Sequence, residues 1–554
     1  MAAQTVKTAR PRARKRPKGA PVHVVTTSLH CGTRLLKIAD VRLFAAHRVY
    51  NACLSAALRR AEACKADPDW EKARKMPGGK QKTKAAMAKN LAFAAVRARH
   101  SLSETALMSY GSRLRKAWVR EHVGAQEAQA LARRAYSAAD RWVKGTGGRP
   151  RFKTARRPLR SIDTKDACGD MKPIFDAAGR LTHLRWAGED FPVEKVRRDA
   201  KSKRAREATA ERERLEQAIK DGRLINVRLV KRVISGRVSL QAQWVLDGNP
   251  PVRRPVGDGL VSLDMGPSTA HVVTRSPDGS PVPEATGHFE LAPSVEFRSK
   301  ELRRLQRRLD RQHRAGSPLC FDDAKRHVEG RCHWKDRSRA AQTTRARIAE
   351  VYRRMAGARS TEHGRLINWL LGYGAQWVAE DIDYVSWQKN FPRSVRDRAP
   401  GLFVAKAVRK AENAGGGFRR YSTRLTAASQ TCICGRRERK QLSQRRHSCP
   451  SCGRDAQRDL FSAYIGSYAY MGEDGLDRLD LEGAGRAWPA FAPHLQEAAG
   501  SARSATASAK HRGRVRSKRS TARITARRHR RFAGKATEVL ADANQSASSA
   551  EAEA

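Results

Sequence analysis

The chain has 554 residues, with 112 Lys and Arg against 55 Asp and Glu, a formal net charge of +57. That length supports several domains and a substantial core. A positive excess of this size would repel itself without a polyanion to neutralise it, which argues against an ordinary solvated surface and for a phosphate backbone as partner, with steeply salt-dependent binding.

In chain order, residues 1–20 form a basic arm with Lys7, Arg10, Arg12, Arg14, Lys15, Arg16 and Lys18 and no acid. The arm is expected to stay disordered until it meets phosphate. It has no following apolar stretch, so it does not read as a secretory signal. The run Val22–Thr27 predicts a first strand. Ala-rich helical patterns follow over about 38–66 and 82–142, broken at Pro77-Gly78-Gly79-Lys80. The turn Gly145-Thr146-Gly147-Gly148 ends this helical region. Short strands are expected to about 195, a charged helix over 199–220, and strands at 224–230 and 238–246. Together with the first strand, this reads as a discontinuous β-rich domain interrupted by a helical one.

From 258 the pattern becomes α/β. Val261-Ser262-Leu263-Asp264 and His271-Val272-Val273-Thr274 read as strands. A long helix is expected from about 294, with Leu302, Leu305 and Leu309 on one stripe. Another is expected over about 336–373, with Ile348, Val351, Tyr352 and Met355. Both stripes read as plain core packing. The strand Trp377-Val378-Ala379-Glu380 follows, then a helix over 402–413 and an extended run at 417–421. A helix should start near Asp459 and fade by 472. Beyond about 476 the composition predicts a low-complexity basic tail ending in an acidic cap. No apolar run approaches the roughly 20 residues that cross a bilayer.

Two constellations carry chemistry. Asp264 and Glu380 each stand where an apolar strand ends, and Asp459 opens an amphipathic helix. Oxygen ligands converging this way suit Mg²⁺, and a pair of such ions supports phosphodiester hydrolysis. Asp381 points away from Glu380 by strand alternation. Asp455 stands too close to Cys452 to line an active site. The second constellation is Cys432, Cys434, Cys449 and Cys452. The second pair has zinc-ribbon spacing, whereas the first is one residue short, so a strained site is expected, with His447 as a substitute ligand. Any zinc there is structural. The other six cysteines are scattered, which suggests free thiols in a reducing compartment. After Glu380, the aromatics Tyr384, Trp387 and Phe391 and the cations Arg393, Arg396 and Arg398 form either a substrate-gripping lid or a packed loop.

The segments Ser262-Leu263-Asp264-Met265-Gly266-Pro267-Ser268, Ala379-Glu380-Asp381-Ile382-Asp383-Tyr384, Ser429-Gln430-Thr431-Cys432 and Gln457-Arg458-Asp459-Leu460-Phe461-Ser462-Ala463 resemble, in order, the nuclease motifs and ribbon of the RuvC domain. That domain belongs to transposon-encoded TnpB proteins and to compact type V CRISPR effectors. Arg149-Pro150-Arg151-Phe152-Lys153 is similar to a segment of the family's N-terminal half. The resemblance covers about 22–472 and departs at the shortened first cysteine pair.

The resemblance implies a multidomain α+β architecture. After the arm at 1–20 come a β-rich wedge (21–35 and 144–257) and an inserted helical recognition lobe (36–143). An RNase H-like α/β RuvC domain (258–430 and 454–475) then carries an inserted zinc ribbon (431–453), before the tail at 476–554. It implies a metal-dependent endodeoxyribonuclease of the prokaryotic cytoplasm, acting in antiviral defence, with guide RNA and target DNA as partners and no membrane. Base pairing would read the target sequence. Asp264, Glu380 and Asp459 would hold two Mg²⁺ or Mn²⁺ ions, and Cys432, Cys434, Cys449 and Cys452 one Zn²⁺. Three rival readings remain open: TnpB itself with a transposon-derived guide, a guided repressor that cuts weakly or not at all, and a nucleic-acid-packaging protein. The sequence does not fix the oligomeric state.

Overall fold

A computed structural model describes residues 20–77, 83–155, 157–167, 169–196, 202–251, 254–324, 326–328, 338–441 and 444–497. Residues 1–19 of the basic arm, most of the glycine break at 77–80, Cys168, Cys332 and the tail beyond 497 lie outside them. The chain divides into two compact units, Met1–Pro251 and Val252–Ala554.

The first unit runs β1 (Val22–Leu29), α1 (Thr33–Ala66), α2 (Pro68–Lys75), α3 (Lys84–Arg99), α4 (Glu104–Trp118), α5 (Ala125–Val143), β2 (Ser161–Asp163), β3 (Met171–Phe175), β4 (Leu181–Trp186), β5 (Glu189–Pro192), α6 (Lys203–Lys220), β6 (Leu224–Ile234) and β7 (Arg237–Asp247). Strands β1, β7, β6 and β2 form one antiparallel sheet, and β3–β5 a second. Helix α1 buries Ala39, Ala46, Cys53, Ala57 and Ala61, and α5 buries Ala128, Ala132, Ala135 and Ala139. Small side chains at helical spacing let such backbones approach closely. At Gly111 of α4, a Cβ would meet Ala128 O and Ala132 Cβ at 3.0 Å each.

The second unit runs β8 (Leu260–Met265), β9 (Thr269–Arg275), β10 (Gly287–Glu290), α7 (Val295–Gly316), α8 (Arg339–Leu370), β11 (Gln376–Glu380), α9 (Trp387–Asn390), α10 (Pro392–Arg398), α11 (Pro400–Asn413), β12 (Gly417–Tyr421), α12 (Thr423–Thr426), β13 (Arg446–Ser448), β14 (Asp455–Gln457), α13 (Arg458–Gly466), β15 (Ala469–Met471), β16 (Asp477–Leu479) and α14 (Leu481–Glu497). Its main sheet has the order β10-β9-β8-β11-β12. The first three strands form an antiparallel meander, and β8, β11 and β12 are mutually parallel. Such parallel neighbours need a long crossover, and the α7/α8 hairpin supplies it between β10 and β11. Ser294, just before α7, donates to Glu362 late in α8, while Gln306 reaches Tyr352. The two helices are therefore antiparallel. Leu302, Val351 and Met355 are buried between them, but Tyr352, placed on the same stripe by periodicity, is 41% exposed.

The tail expected from 476 needs correction. Residues 477–479 pair with β15, and α14 follows with Phe491 and Leu495 fully buried. Pro489 and Pro493 inside α14, in an Ala- and Gly-rich context, concealed this helix. Likewise the helix opened by Asp459 ends at Gly466, and the strand Ala469–Met471 follows where helix was expected.

Candidate metal centre of the second unit

In the parallel β8/β11 pair, Leu263 stands opposite Ala379, so Asp264 and Glu380 occupy the next step on adjacent strands. Glu380 in turn faces Tyr421 of β12. Helix α13 packs on this sheet, with Ser262 Oγ donating to Ala463 O at 2.6 Å. Gln457 caps α13 by accepting from Leu460 N at 2.6 Å, which sets Asp459 in the first turn, where the helix dipole favours an acid. Three carboxylates distant in sequence thus meet in one cluster.

Their ionisation reflects that crowding. Burial, then the charges of Glu380 and Asp459, hold Asp264 well above the usual carboxylate range. The Ser462 hydroxyl pulls the other way, although it stops short of a well-formed hydrogen bond. Burial pushes Glu380 up to about 7. For Asp459, burial opposes ionisation, but His271, Arg458 and Arg445 outweigh it and hold the carboxylate down. Arg458 donates to Asp459 Oδ1 from Nε at 2.9 Å and Nη2 at 2.6 Å, and Arg445 donates to Oδ2 at 3.2 Å. Burial lowers His271 to about 4, so this imidazole is neutral near pH 7.

The donor set fits a hard divalent cation. Glu380 Oε1 is buried without a partner, and crowded carboxylates are relieved by a cation. Both Asp459 oxygens are held by arginine donors. Among the described residues, only the cysteine quartet brings three or more candidate ligand atoms all within 4.8 Å of one another.

In that quartet Cys432 Sγ lies 3.6 Å from Cys452 Sγ, and Cys434 Sγ 3.6 Å from Cys449 Sγ. A tetrahedron of Zn–S bonds near 2.3 Å has edges of about 3.8 Å, so the four thiols fit zinc without a fifth donor. The expected substitution by His447 is corrected. Its ring stacks on Phe461 at 3.9 Å, and its Nδ1 is engaged by Lys440. Turn geometry at Gly435, with φ +84°, brings the short Cys-x-Cys pair around. Of the scattered cysteines, Cys31, Cys53 and Cys64 are free thiols. Cys320 is disulfide-bonded, contrary to the expectation of free thiols.

The remaining candidates separate cleanly. Asp381 is exposed and faces Arg420, and Asp455 pairs with Arg446. The segment after Glu380 folds into the short helices α9 and α10 and leaves Val385 and Phe391 exposed. Tyr384 stacks edge-on against Trp387 at 5.3 Å, Arg396 pairs with Asp397, and Arg398 donates to Leu291 O. Sequence reasoning missed His271, Arg458 and Tyr421. Their neighbours become visible only in the folded chain: Arg458 adjoins a named acid, but its bracing role depends on the carbonyls of Gln441 and Gln444.

Comparison with protein-family models found no match. No curated protein matched either. Among solved structures, the chain is similar to a Cas12f1–sgRNA–target DNA complex at 12% identity and TM-score 0.37, covering 80% of this chain and 98% of that one. It is similar to the mini-RNA-guided endonuclease CRISPR-Cas_phi3 at 11% identity and TM-score 0.36, covering 81% and 92%. A third similarity is to CasPhi-2 bound to crRNA and phosphorothioate-DNA, at 12% identity and TM-score 0.30, covering 80% and 91%. Identities and TM-scores this low transfer no residue roles. Among the described residues, no helix is long and apolar enough to cross a membrane.

Proposed function

We propose that this chain is an RNA-guided DNA endonuclease of the compact type V CRISPR effector class, cutting target DNA at the centre of Asp264, Glu380 and Asp459. The observation that carries this reading is the meeting of these three carboxylates at one end of a mixed sheet. The strand order and directions of that sheet accord with an RNase H-like domain. Bound Mg²⁺ or Mn²⁺ ions would supply an activated water and charge stabilisation at the leaving oxygen. Strands β8 and β11 hold two acids side by side, and capped α13 presents the third. Arg458 fixes the Asp459 carboxylate while tying it to the carbonyls of Gln441 and Gln444. Buried Tyr421 and Ser462 keep bulk water from the inner side.

The cysteine quartet would hold a structural Zn²⁺, closed to substrate, in a ribbon over 431–453. The nuclease domain would comprise 258–430 and 454–475, extended by 476–497. The wedge (21–35 and 144–257) and the helical lobe (36–143) would engage guide RNA and target DNA. Support for these partners is the net charge of +57.

The test is cleavage of a target plasmid with Mg²⁺, using protein purified with its own RNA and that RNA sequenced. A discrete guide should co-purify and direct cutting. Asp264→Ala should abolish cutting and spare guided binding. Guided binding without cutting by the wild type would favour a repressor, and heterogeneous RNA with no guided binding would refute the proposal.

A further inference from the structure

Helix α7 carries seven arginines and one lysine against three acids. Its core contacts fix its rotation. Leu302 is fully buried, and Leu305 packs against the cluster that holds Val351 and Met355 of α8. At roughly 100° per residue, Lys300, Arg304, Arg307, Arg308 and Arg311 fall within an arc of roughly 100°, on the side away from those leucines. All five are exposed. They span roughly 16 Å of the helix axis.

Like charges one turn apart destabilise a helix, and Arg304/Arg308 and Arg307/Arg311 both have that spacing. Among the described residues these four arginines have no acidic partner, and Lys300 reaches only Glu296, at 4.0 Å. Two acids of α7 are engaged elsewhere. Glu296 meets Arg398 at 3.5 Å, and Asp310 meets Arg314 at 2.8 Å. On α8 the arginines are neutralised instead, since Arg353 and Arg354 pair with Glu350 at 2.7 and 2.9 Å. The α7 face thus keeps four guanidiniums in mutual repulsion, held outward by the leucines behind them.

We infer that the Lys300–Arg311 face of α7 binds the phosphate backbone of the RNA that the chain carries, so that RNA contacts extend onto the second unit. Guanidinium forks pair with phosphate oxygens, and phosphates take the place of the missing acids. RNA rather than target DNA is the occupant because the repulsion is always present and calls for a resident polyanion, whereas a DNA target is met only in passing. The inference rests on the proposed guided nuclease for that resident RNA, but not on the carboxylate centre.

The test measures affinity of the full-length protein, stripped of nucleic acid, for its own co-purified RNA across a series of salt concentrations. Each phosphate contact contributes about 0.7–0.9 to the slope of log affinity against log salt. Combining Arg304→Gln, Arg307→Gln, Arg308→Gln and Arg311→Gln should make that slope shallower by about 3, so that affinity falls roughly 60-fold less between about 50 and 200 mM salt. Gln is a good helix former, so α7 should persist. Arg307→Gln alone, the milder change, should remove about 0.7–0.9 of the slope. Arg353→Gln with Arg354→Gln removes charge that Glu350 already neutralises and should leave the slope unchanged. An unchanged slope in both the fourfold and the single variant would overturn the inference. An equal loss per charge in the α8 control would reduce the effect to net charge and overturn it too. A shallower slope for guided DNA binding by the RNA-loaded protein, with RNA affinity untouched, would assign the face to DNA and refute the RNA occupant. Absence of any discrete co-purified RNA in the wild type would instead sink the guided-nuclease reading.

Discussion

Glu127 and Glu380 are both buried acids held up near 7, yet their surroundings differ. Glu127 accepts from Gly124 N and from Trp186 Nε1, so its oxygens are satisfied inside the first unit. Glu380 keeps one oxygen bare. The first arrangement is structural and the second suits a ligand yet to come. Burial raises Glu127 from 4.5 to about 7. A raised folded-state value means its contribution to stability is full below about 4.5 and lost as pH rises through about 7. Glu127→Gln should therefore flatten a decline of about 3 kcal/mol between those limits, read by chemical denaturation at a series of pH values. For Glu380, raised to about 7 by burial, a proton must leave before a cation binds. Apparent Mg²⁺ affinity, measured from cleavage at limiting Mg²⁺, should rise with pH through neutrality. An affinity flat from pH 6 to 8 would contradict this. Asp264 and Glu380 were legible in the sequence because a carboxylate ending an apolar run is conspicuous. His271 was hidden inside such a run, since the sequence does not reveal which residue faces it across a strand pair.

Helix α13 shows how one element couples the acids to the ribbon and to α14. Its Tyr464 donates to Ala484 O, and Trp488 of α14 packs on Phe461 and Tyr464. Its last residue, Gly466, lies so close to β12 that a Cβ would stand 2.2 Å from Tyr421 Oη. Gly466→Ala should displace Tyr421 beside Glu380, cost about 1–3 kcal/mol as overpacking, and reduce cutting. Thermal unfolding checks the first effect, and an unchanged melting temperature would contradict it. The ribbon just before α13 should carry one zinc per chain by elemental analysis. Cys434→Ser should lose that metal, whereas His447→Ala should keep it. Periodicity sufficed for long elements such as α1, α7 and α8. It failed for α14 and for the hairpin β15/β16, where short strands and internal prolines resemble tail composition; α14 is held by Phe491, buried against Tyr464 of α13.

At the scale of the whole molecule, charge governs. Guided DNA binding should weaken by orders of magnitude between low and physiological salt, because Lys and Arg displace condensed counterions. A salt-independent affinity would remove the polyanion argument on which the partners rest. Composition made this partner class legible from the start, whereas how distant acids share one centre required the sheet. The most direct test of that centre is guided plasmid cleavage by Asp264→Ala, Glu380→Ala and Asp459→Ala, singly and with the first and third combined. Groups that act as one unit are non-additive. Each single variant should fall to the same background, and the double variant no further. A single variant that cuts at close to the wild-type rate would contradict a shared hydrolytic centre.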